Sequence, residues 1–535
     1  MGDTSVTRYL IPAVLACLIV ILLYPLVTNN YTITKNGAVV DKFPVILKPG
    51  ELLSLQANSQ HAVKVIIDVV TSAPLSSRYN GSEYRYQCLQ SNTMCSHQLT
   101  ITERLGGMQF IADNQTIIQK MGMRTVRHIS QGFLNEINKN WLFLSLILLV
   151  ALVWCTHSSV AVSQWVLNIS SIGFLLWIDV LFTVFLISYI SIIYAFGNNI
   201  TARKKSLSTL YLSLLSCIFF LFLFKYFYNA IQSLFFDVGS FALLAPLGIS
   251  YFVIRLIDTQ LKWYRNEIPS IGYRQFLCFI TFPATLPAGP IDTVDNFNAN
   301  RLNRISLNDI THGISRIIIG VFKKAVLADF ILFQILFEPG GYYDRVAFFP
   351  IEADQSDIVI FLSLALCFVY LDFSAYSDIA IGFSRLLGYR IVENFNWPLL
   401  ARNIRVFWSR WHMSLSNWCM RNIYMPVMIM TKNFYTPAYV VMLVVGLWHS
   451  LTLPWLCWAL HHASGLSLVR YLEDRFPAKK TRTLPNWIKQ VWGIASIAIT
   501  FLFAASAHAF TQFADSSTAV ILYYRFWFSL ITLIF

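Results

Sequence analysis

Apolar stretches of about 20 residues, the length a helix needs to cross a bilayer core roughly 30 Å thick, recur along nearly the whole chain, from Tyr9–Val27 to Ile521–Phe535. About a dozen can be marked out at that length. The composition agrees: 56% of the residues are hydrophobic and 13% charged, where ordinary soluble domains carry roughly 25% charged residues. These features predict an all-α polytopic membrane protein rather than a water-soluble fold.

The formal net charge of +13 raises the question of nucleic acid. The positive residues, however, sit in short segments between apolar runs, as expected of cytoplasmic loops. They fall at Arg203–Lys205, Lys262–Arg274, Arg301–Lys324, Arg402–Arg421 and Arg470–Lys489. No basic face lies outside these membrane-flanking segments, so the expected partner is membrane lipid and no nucleic acid is expected.

Arg8 precedes the apolar run Tyr9–Val27, which shows no small-x-small cleavage pattern, so residues 1–28 read as an uncleaved membrane anchor. That anchor places residues 29–140 outside the cytoplasm as a separate domain. Alternating stretches such as Ala62-Val63-Lys64-Val65-Ile66-Ile67 make this insertion β-rich. Of the nine cysteines, seven lie within or beside apolar runs, whereas Cys88 and Cys95 flank six residues of the polar segment. They are either a disulfide, which an oxidising compartment permits, or two unpaired surface thiols.

Residues 141–535 form the multi-span domain. Trp141–Cys155, Val160–Ile178 and Val180–Phe196 read as three spans broken near Cys155–Ser159 and at Asp179, followed by Leu207–Tyr228 and Phe236–Ile257. Beyond them Pro283, Pro287 and Pro290 interrupt an apolar run, and Arg402–Met425 mixes arginines with tryptophans. Irregular backbone at membrane depth needs protein or a water-filled cavity around it, so re-entrant or interfacial segments are expected in both places.

Ionisable residues inside membrane segments are costly and mark candidate sites. Three clusters qualify: Tyr370–Gly382, with Asp372, Ser374 and Asp378; Phe407–Trp418, with Arg410 and His412; and Gly446–Ser450, with Trp448 and His449, followed by His461 and His462. Each is open to a purely structural reading, because hydroxyls and carboxylates also hold membrane helices together. His449, His461 and His462 could supply imidazoles to a metal, but no Cys, Asp or Glu stands near them at ligand spacing, so no metal is assigned.

Taken in order, these clusters resemble the membrane-bound O-acyltransferase family, in particular the branch that acetylates alginate and other bacterial polysaccharides. The likeness includes Phe224-Lys225-Tyr226, Pro246–Phe252, Pro287–Ile291, Gly320–Lys324, Asp372–Gly382, Glu393-Asn394-Phe395, the Trp411-His412 block and Gly446–His449. His449 falls at the family's catalytic histidine, in its Gly-Leu-Trp-His-Gly motif. His462, thirteen residues on, matches a second histidine, and His412 matches that of the Arg-Trp-His-x-Ser-Leu-Ser block. Ser450 replaces the usual Gly, Asn422 stands where many relatives carry Asp, and a Gly-Gly-x-Arg continuation is absent after Pro426.

The resemblance implies a helical core with re-entrant segments in the bacterial inner membrane and an O-acyltransferase, more narrowly an O-acetyltransferase. It implies no bound cofactor, a cytoplasmic acyl-CoA (acetyl-CoA) as donor, and as acceptor an extracytoplasmic polysaccharide or a partner transferase that carries the acyl group onward. His449 would act as general base, since imidazole titrates near neutrality, with His412 lining the cytoplasmic approach. The expected substrate contacts are Asp372, Ser374, Asp378, Arg410, Trp448 and His462. D-alanyl transfer of the teichoic-acid kind is the close variant, and a polysaccharide or lipid transporter is the alternative from another class.

Overall fold

The computed structural model describes backbone strands between Tyr31 and Val126 and the helical region from Trp141 onward. Side chains are described over residues 149–528 apart from 177–179, 181, 198–206, 224–247, 339, 348–349, 477–484 and 514. The anchor, the Cys88/Cys95 pair, the Arg203–Lys205 cluster, the side chains of Phe224-Lys225-Tyr226 and the Pro246-Leu247 pair lie outside the described residues. The chain divides into two units. One holds Trp141–Phe333 and Ile358–Phe535; the other holds the strands and Gln334–Asp357.

In the strand unit the backbone forms two antiparallel sheets, one in the order β2 (Ala38–Val39), β1 (Tyr31–Lys35), β4 (Leu52–Ala57), β10 (Met108–Ala112), β6 (Leu75–Tyr79) and β7 (Ser82–Arg85), the other in the order β3 (Val45–Leu47), β11 (Thr116–Val126), β5 (Lys64–Thr71), β9 (Met94–Ile101) and β8 (Leu89–Ser91). Their longest members are β5, β9 and β11. β5 lies between β9 and β11, and the β5–β11 pairing shifts register between Ile118 and Lys120.

The helical unit begins with α1 (Trp141–Thr156), α2 (Val160–Ile178), α3 (Val180–Ala202) and α4 (Leu207–Tyr226). None of the four carries a charged residue in its first turn. They are apolar all round, the pattern of helices surrounded by protein or lipid. Their outer faces leave Trp165, Ile169, Val184, Phe185, Leu212, Leu215 and Phe219 exposed, an extent of apolar surface that water does not tolerate and acyl chains do. Their inner faces pack on α5 (Ile249–Arg265) and α6 (Tyr273–Ile280) in one apolar cluster.

The helix α5 corrects the sequence reading, in which a basic loop began at Lys262. It runs through Arg265 and buries Arg255, Asp258, Gln260 and Lys262. Charge pairing with distant segments makes this burial tolerable. Lys262 pairs with Asp295 and, at 3.9 Å, with Asp258. Arg421 and Asn422 donate to Asp258 Oδ1 at 3.5 and 3.2 Å.

The proline-interrupted stretch that follows α6 is irregular and enclosed, as expected of backbone that no lipid must solvate. Arg255 Nη1 donates to the Phe279 carbonyl and to Thr285 Oγ1, both at 3.0 Å. The Ala288 N–H donates to Tyr376 Oη at 3.1 Å, and the Ile291 N–H to Ser414 Oγ at 3.0 Å. Three helices thus stitch the stretch in place.

Next come α7 (Leu307–Val321), whose turns widen to π-helical geometry over Phe322–Leu332, and α8 (Gln355–Leu386). At 32 residues, α8 spans about 48 Å at 1.5 Å per residue. The Tyr370–Gly382 cluster is therefore the second half of a single helix rather than a segment following a span. Gly313 and Gly320 of α7 face Gly382 and Ala375 of α8 so closely that backbone meets backbone, the small-residue contact by which membrane helices pack.

Two short helices, α9 (Ile404–Arg410) and α10 (Met413–Cys419), take up the arginine–tryptophan segment, followed by α11 (Thr436–His449), α12 (Leu453–Arg475), α13 (Asn486–Ser506) and α14 (Ser516–Ile534). By length and composition, Gln355–Leu386 and Asn486–Gln512 can each cross a membrane. Val160–Leu176, Phe182–Gly197, Leu207–Leu223 and Thr436–His449 are shorter apolar helices.

Candidate active site

Helix α9 begins at Asn403, whose side chain caps the Val406 N–H at 2.8 Å, and ends at Trp411. The chain must then reverse before α10, and the residue at the reversal is His412, with φ of 43° in the left-handed region. A non-glycine residue there stores strain that the surroundings must hold. They do so through Asn394. Its carbonyl accepts from the Met413 N–H at 2.8 Å. Its side-chain oxygen lies 2.8 Å from His412 Nδ1 and accepts from Ser414 Oγ at 2.8 Å.

The other end of the Asn394 side chain donates to Ser377 Oγ at 3.1 Å. Ser377 in turn donates to the Phe373 carbonyl one turn back along α8. His412 is buried, and among the described residues its Nε2 has no hydrogen-bond partner. The ring of Phe373 stands edge-on to the imidazole at 4.8 Å, and Tyr251 of α5 lies at 6.2 Å.

His449 reaches the same place from the end of α11. Tyr251 meets Trp448 edge-on at 5.7 Å, and Trp448 meets His449 at 4.7 Å. His449 stacks on Trp455 at 4.4 Å. Its side chain is exposed where α11 stops. The tight return into α12 requires Gly446, where a Cβ would stand 2.7 Å from the Trp455 carbonyl oxygen.

The other expected contacts distribute differently. His462 is buried between Trp408 and Trp458, at 5.2 and 4.7 Å, and its Nδ1 has no partner among the described residues. His461 is held on both nitrogens, by Tyr523 Oη at 2.9 Å and the Phe503 carbonyl at 3.0 Å, which is a structural role. Asp372 accepts from Lys324 at 2.6 Å, and Asp378 pairs with Lys323 at 2.7 Å and Arg316 at 2.6 Å. Arg316 continues to Glu393 through two bonds of 2.8 and 2.9 Å.

Both carboxylates therefore face this chain's own cations, and Ser374, buried beside them, lies 3.5 Å from Lys323 Nζ. Arg410 is half-buried at the end of α9 and forms no ion pair among the described residues. No group of three His, Cys, Asp or Glu side chains among the described residues is placed to hold a metal.

The sequence reading gave no role to Asn394, Tyr251, Ser377 or Ser414. Their signal lay in the motifs themselves. Glu393-Asn394-Phe395 supplies in turn a partner for Arg316, the hold on His412, and a ring packed on Tyr370, Phe373 and Trp411.

A profile of MBOAT, the membrane-bound O-acyltransferase family, matches residues 160–511. Among curated proteins, the chain is 32% identical over 256 residues to a probable alginate O-acetylase AlgI of Azotobacter vinelandii, covering 46% of this chain and 48% of that protein. It is 31% identical over 250 residues to a teichoic acid D-alanyltransferase of Streptococcus thermophilus, covering 43% and 57%. A peptidoglycan O-acetyltransferase of Helicobacter pylori is 27% identical over 260 residues, covering 43% and 48%. The chain spans about half the length of the alginate relatives it matches. A match over residues 160–511, which holds α2 to α13 and both motif histidines, is the basis for the assignment: the chain belongs to the membrane-bound O-acyltransferase family.

Proposed function

We propose that this protein is a membrane O-acyltransferase that moves an acetyl group from a thioester donor, acetyl-CoA, to a hydroxyl of a cell-envelope or secreted polysaccharide, directly or through an acyl-accepting partner transferase. The observation that carries this reading is the meeting of His412 and His449 around Tyr251 and Trp448, from motifs on separate helices.

In the reaction the acceptor oxygen bonds to the thioester carbonyl carbon while its proton passes to the His449 imidazole. The C–S bond then breaks, and the sulfur leaves as a thiol with the proton returned by the imidazolium. Apolar walls keep water from the thioester. Arg410 and the rings of Trp448, Trp408 and Trp458, with His462 between the last two, are the surfaces for the donor arm. The enzyme sits in the bacterial inner membrane, with residues 1–28 as anchor, residues 29–140 as a β-rich extracytoplasmic domain and residues 141–535 as the acyltransferase domain.

D-alanyl transfer is kept as a second reading because the teichoic acid relative matches at an identity equal to that of alginate relatives. Purified protein in lipid vesicles, given radiolabelled acetyl-CoA or a D-alanyl carrier protein, separates the two, and a transporter labels with neither. His449→Ala should keep the fold, since the side chain is exposed, and lower transfer by roughly 10²–10⁴-fold. Near-wild-type turnover in that variant refutes the mechanism.

A further inference from the structure

We infer that Asn394 is a positioning residue that locks His412 in the tautomer with hydrogen on Nδ1, so that the atom His412 presents to substrate is the Nε2 lone pair. The inference rests on the proposed acyl transfer for its activity consequence, but not for the tautomer itself. Asn394 offers His412 an oxygen and not its NH₂ group, because both ends of its amide are committed. The oxygen already accepts from Ser414 Oγ at 2.8 Å, and the nitrogen donates to Ser377 Oγ at 3.1 Å.

The serines are committed in turn. Ser414 Oγ accepts from the Ile291 N–H at 3.0 Å, which leaves its own hydrogen for Asn394. Ser377 donates to the Phe373 carbonyl at 3.0 Å, so toward Asn394 it can only accept. The chain from the Ile291 amide to the Phe373 carbonyl thus has one direction, and at His412 Nδ1 it requires a donor.

A neutral imidazole with hydrogen on Nδ1 has none on Nε2. That nitrogen is buried and unpartnered among the described residues, a costly condition unless a ligand hydrogen fills it. Among the described residues, Tyr251 from α5 and Phe373 from α8 face the His412 ring, Ser414 Oγ lies 3.5 Å from its Nδ1, and His449 from α11 follows beyond Tyr251 and Trp448. His412 is accordingly an acceptor for a substrate O–H or N–H.

Two variants test this. Asn394→Asp keeps an oxygen for Nδ1–H, whereas Asn394→Leu fills the same space with none. Nitrogen-15 spectra of histidine-labelled protein in nanodiscs, with the His412 signal assigned by its loss in His412→Gln, should show protonated Nδ1 and bare Nε2 in the wild type and Asn394→Asp. That pattern should be lost in Asn394→Leu. Transfer per folded molecule should fall about 10- to 100-fold in Asn394→Leu, the scale at which an outer-shell partner acts, and recover to within a few-fold of wild type in Asn394→Asp. A wild-type spectrum with hydrogen on Nε2, or full turnover in Asn394→Leu, overturns the inference. If the wild type transfers no acyl group from either donor, the proposed function fails, and the spectra still decide the tautomer.

Discussion

Gly320→Ala tests whether the packing of α7 on α8 sets the site's geometry. A Cβ at position 320 would stand 2.7 Å from the Ala375 carbonyl oxygen, 2.7 Å from Ile379 Cγ1 and 3.1 Å from Asp378 Cβ. An ordinary contact starts at 3.4 Å, so the helices must part by about 0.7 Å, and the obstacle is backbone that cannot swing aside. Overpacking of this kind costs about 1–3 kcal/mol. Gly173→Ala is the matched control, since that helical glycine has nothing within 4 Å of the added carbon. Both variants carry the same change in intrinsic helix preference, so their difference isolates the packing cost.

The displacement also moves Arg316 and Lys323 relative to Asp378, and through Glu393 it reaches Asn394, the neighbour in sequence. Misplacing a catalytic group by about 1 Å can cost 10²-fold in rate, so turnover per folded molecule should drop about tenfold or more. Thermal melting of the two variants in the same detergent, followed by the acyl-transfer assay, checks both halves. If Gly320→Ala melts as high as Gly173→Ala, the close packing carries no weight and the reasoning fails.

Other consequences are open to simpler measurements. Burial raises the proton affinity of Asp309, but hydrogen bonds from Ser306, Arg390 and Arg385 outweigh it and hold the carboxyl below the ordinary range. Its stabilising effect is therefore present at neutral pH and is lost as pH falls through and below about 4; the melting gap between wild type and Asp309→Asn should close on acidification. Ser450→Gly should leave stability within about 1 kcal/mol and transfer unchanged, because φ of −162° at that position asks nothing of glycine; a gain in turnover would show that the side chain obstructs the site. Arg405 belongs to the basic segment Arg402–Arg421, whose guanidinium groups suit the phosphates of coenzyme A, so Arg405→Glu should raise the apparent KM for donor; because Arg405 pairs with Glu473 at 2.5 Å, Arg405→Glu/Glu473→Arg is needed alongside. Recovery of KM in the double variant assigns the effect to the pair and not to donor binding.

The helices between Trp141 and Tyr226 were legible because each is one uninterrupted apolar run. Trp141–Cys155, Val160–Ile178 and Val180–Phe196 meet helices Trp141–Thr156, Val160–Ile178 and Val180–Ala202. The helix Ile249–Arg265 was not legible in the same way. Its polar residues look like a loop until Lys262 is joined to Asp295 and Asp258 to Arg421, 163 residues away along the chain. Local hydropathy has no access to a partner that distant, and burial of a charge depends on the partner.

The departures from the family's motifs carry the same lesson at the site. Asn422, where many relatives place a carboxylate, donates through Nδ2 to buried Asp258 and accepts through Oδ1 from Arg265 at 2.9 Å. A carboxylate there could accept from Arg265 but would meet Asp258 as a like charge, so the amide is the choice that satisfies both neighbours. His412 is comparable: its place in a motif marked it as important, but the atom it offers is set by Asn394 and Ser377, which lie well before it in the chain, together with Ser414 of its own motif. A motif marks a side chain as a candidate, whereas the direction of its hydrogen bonds is decided by the segments that fold against it.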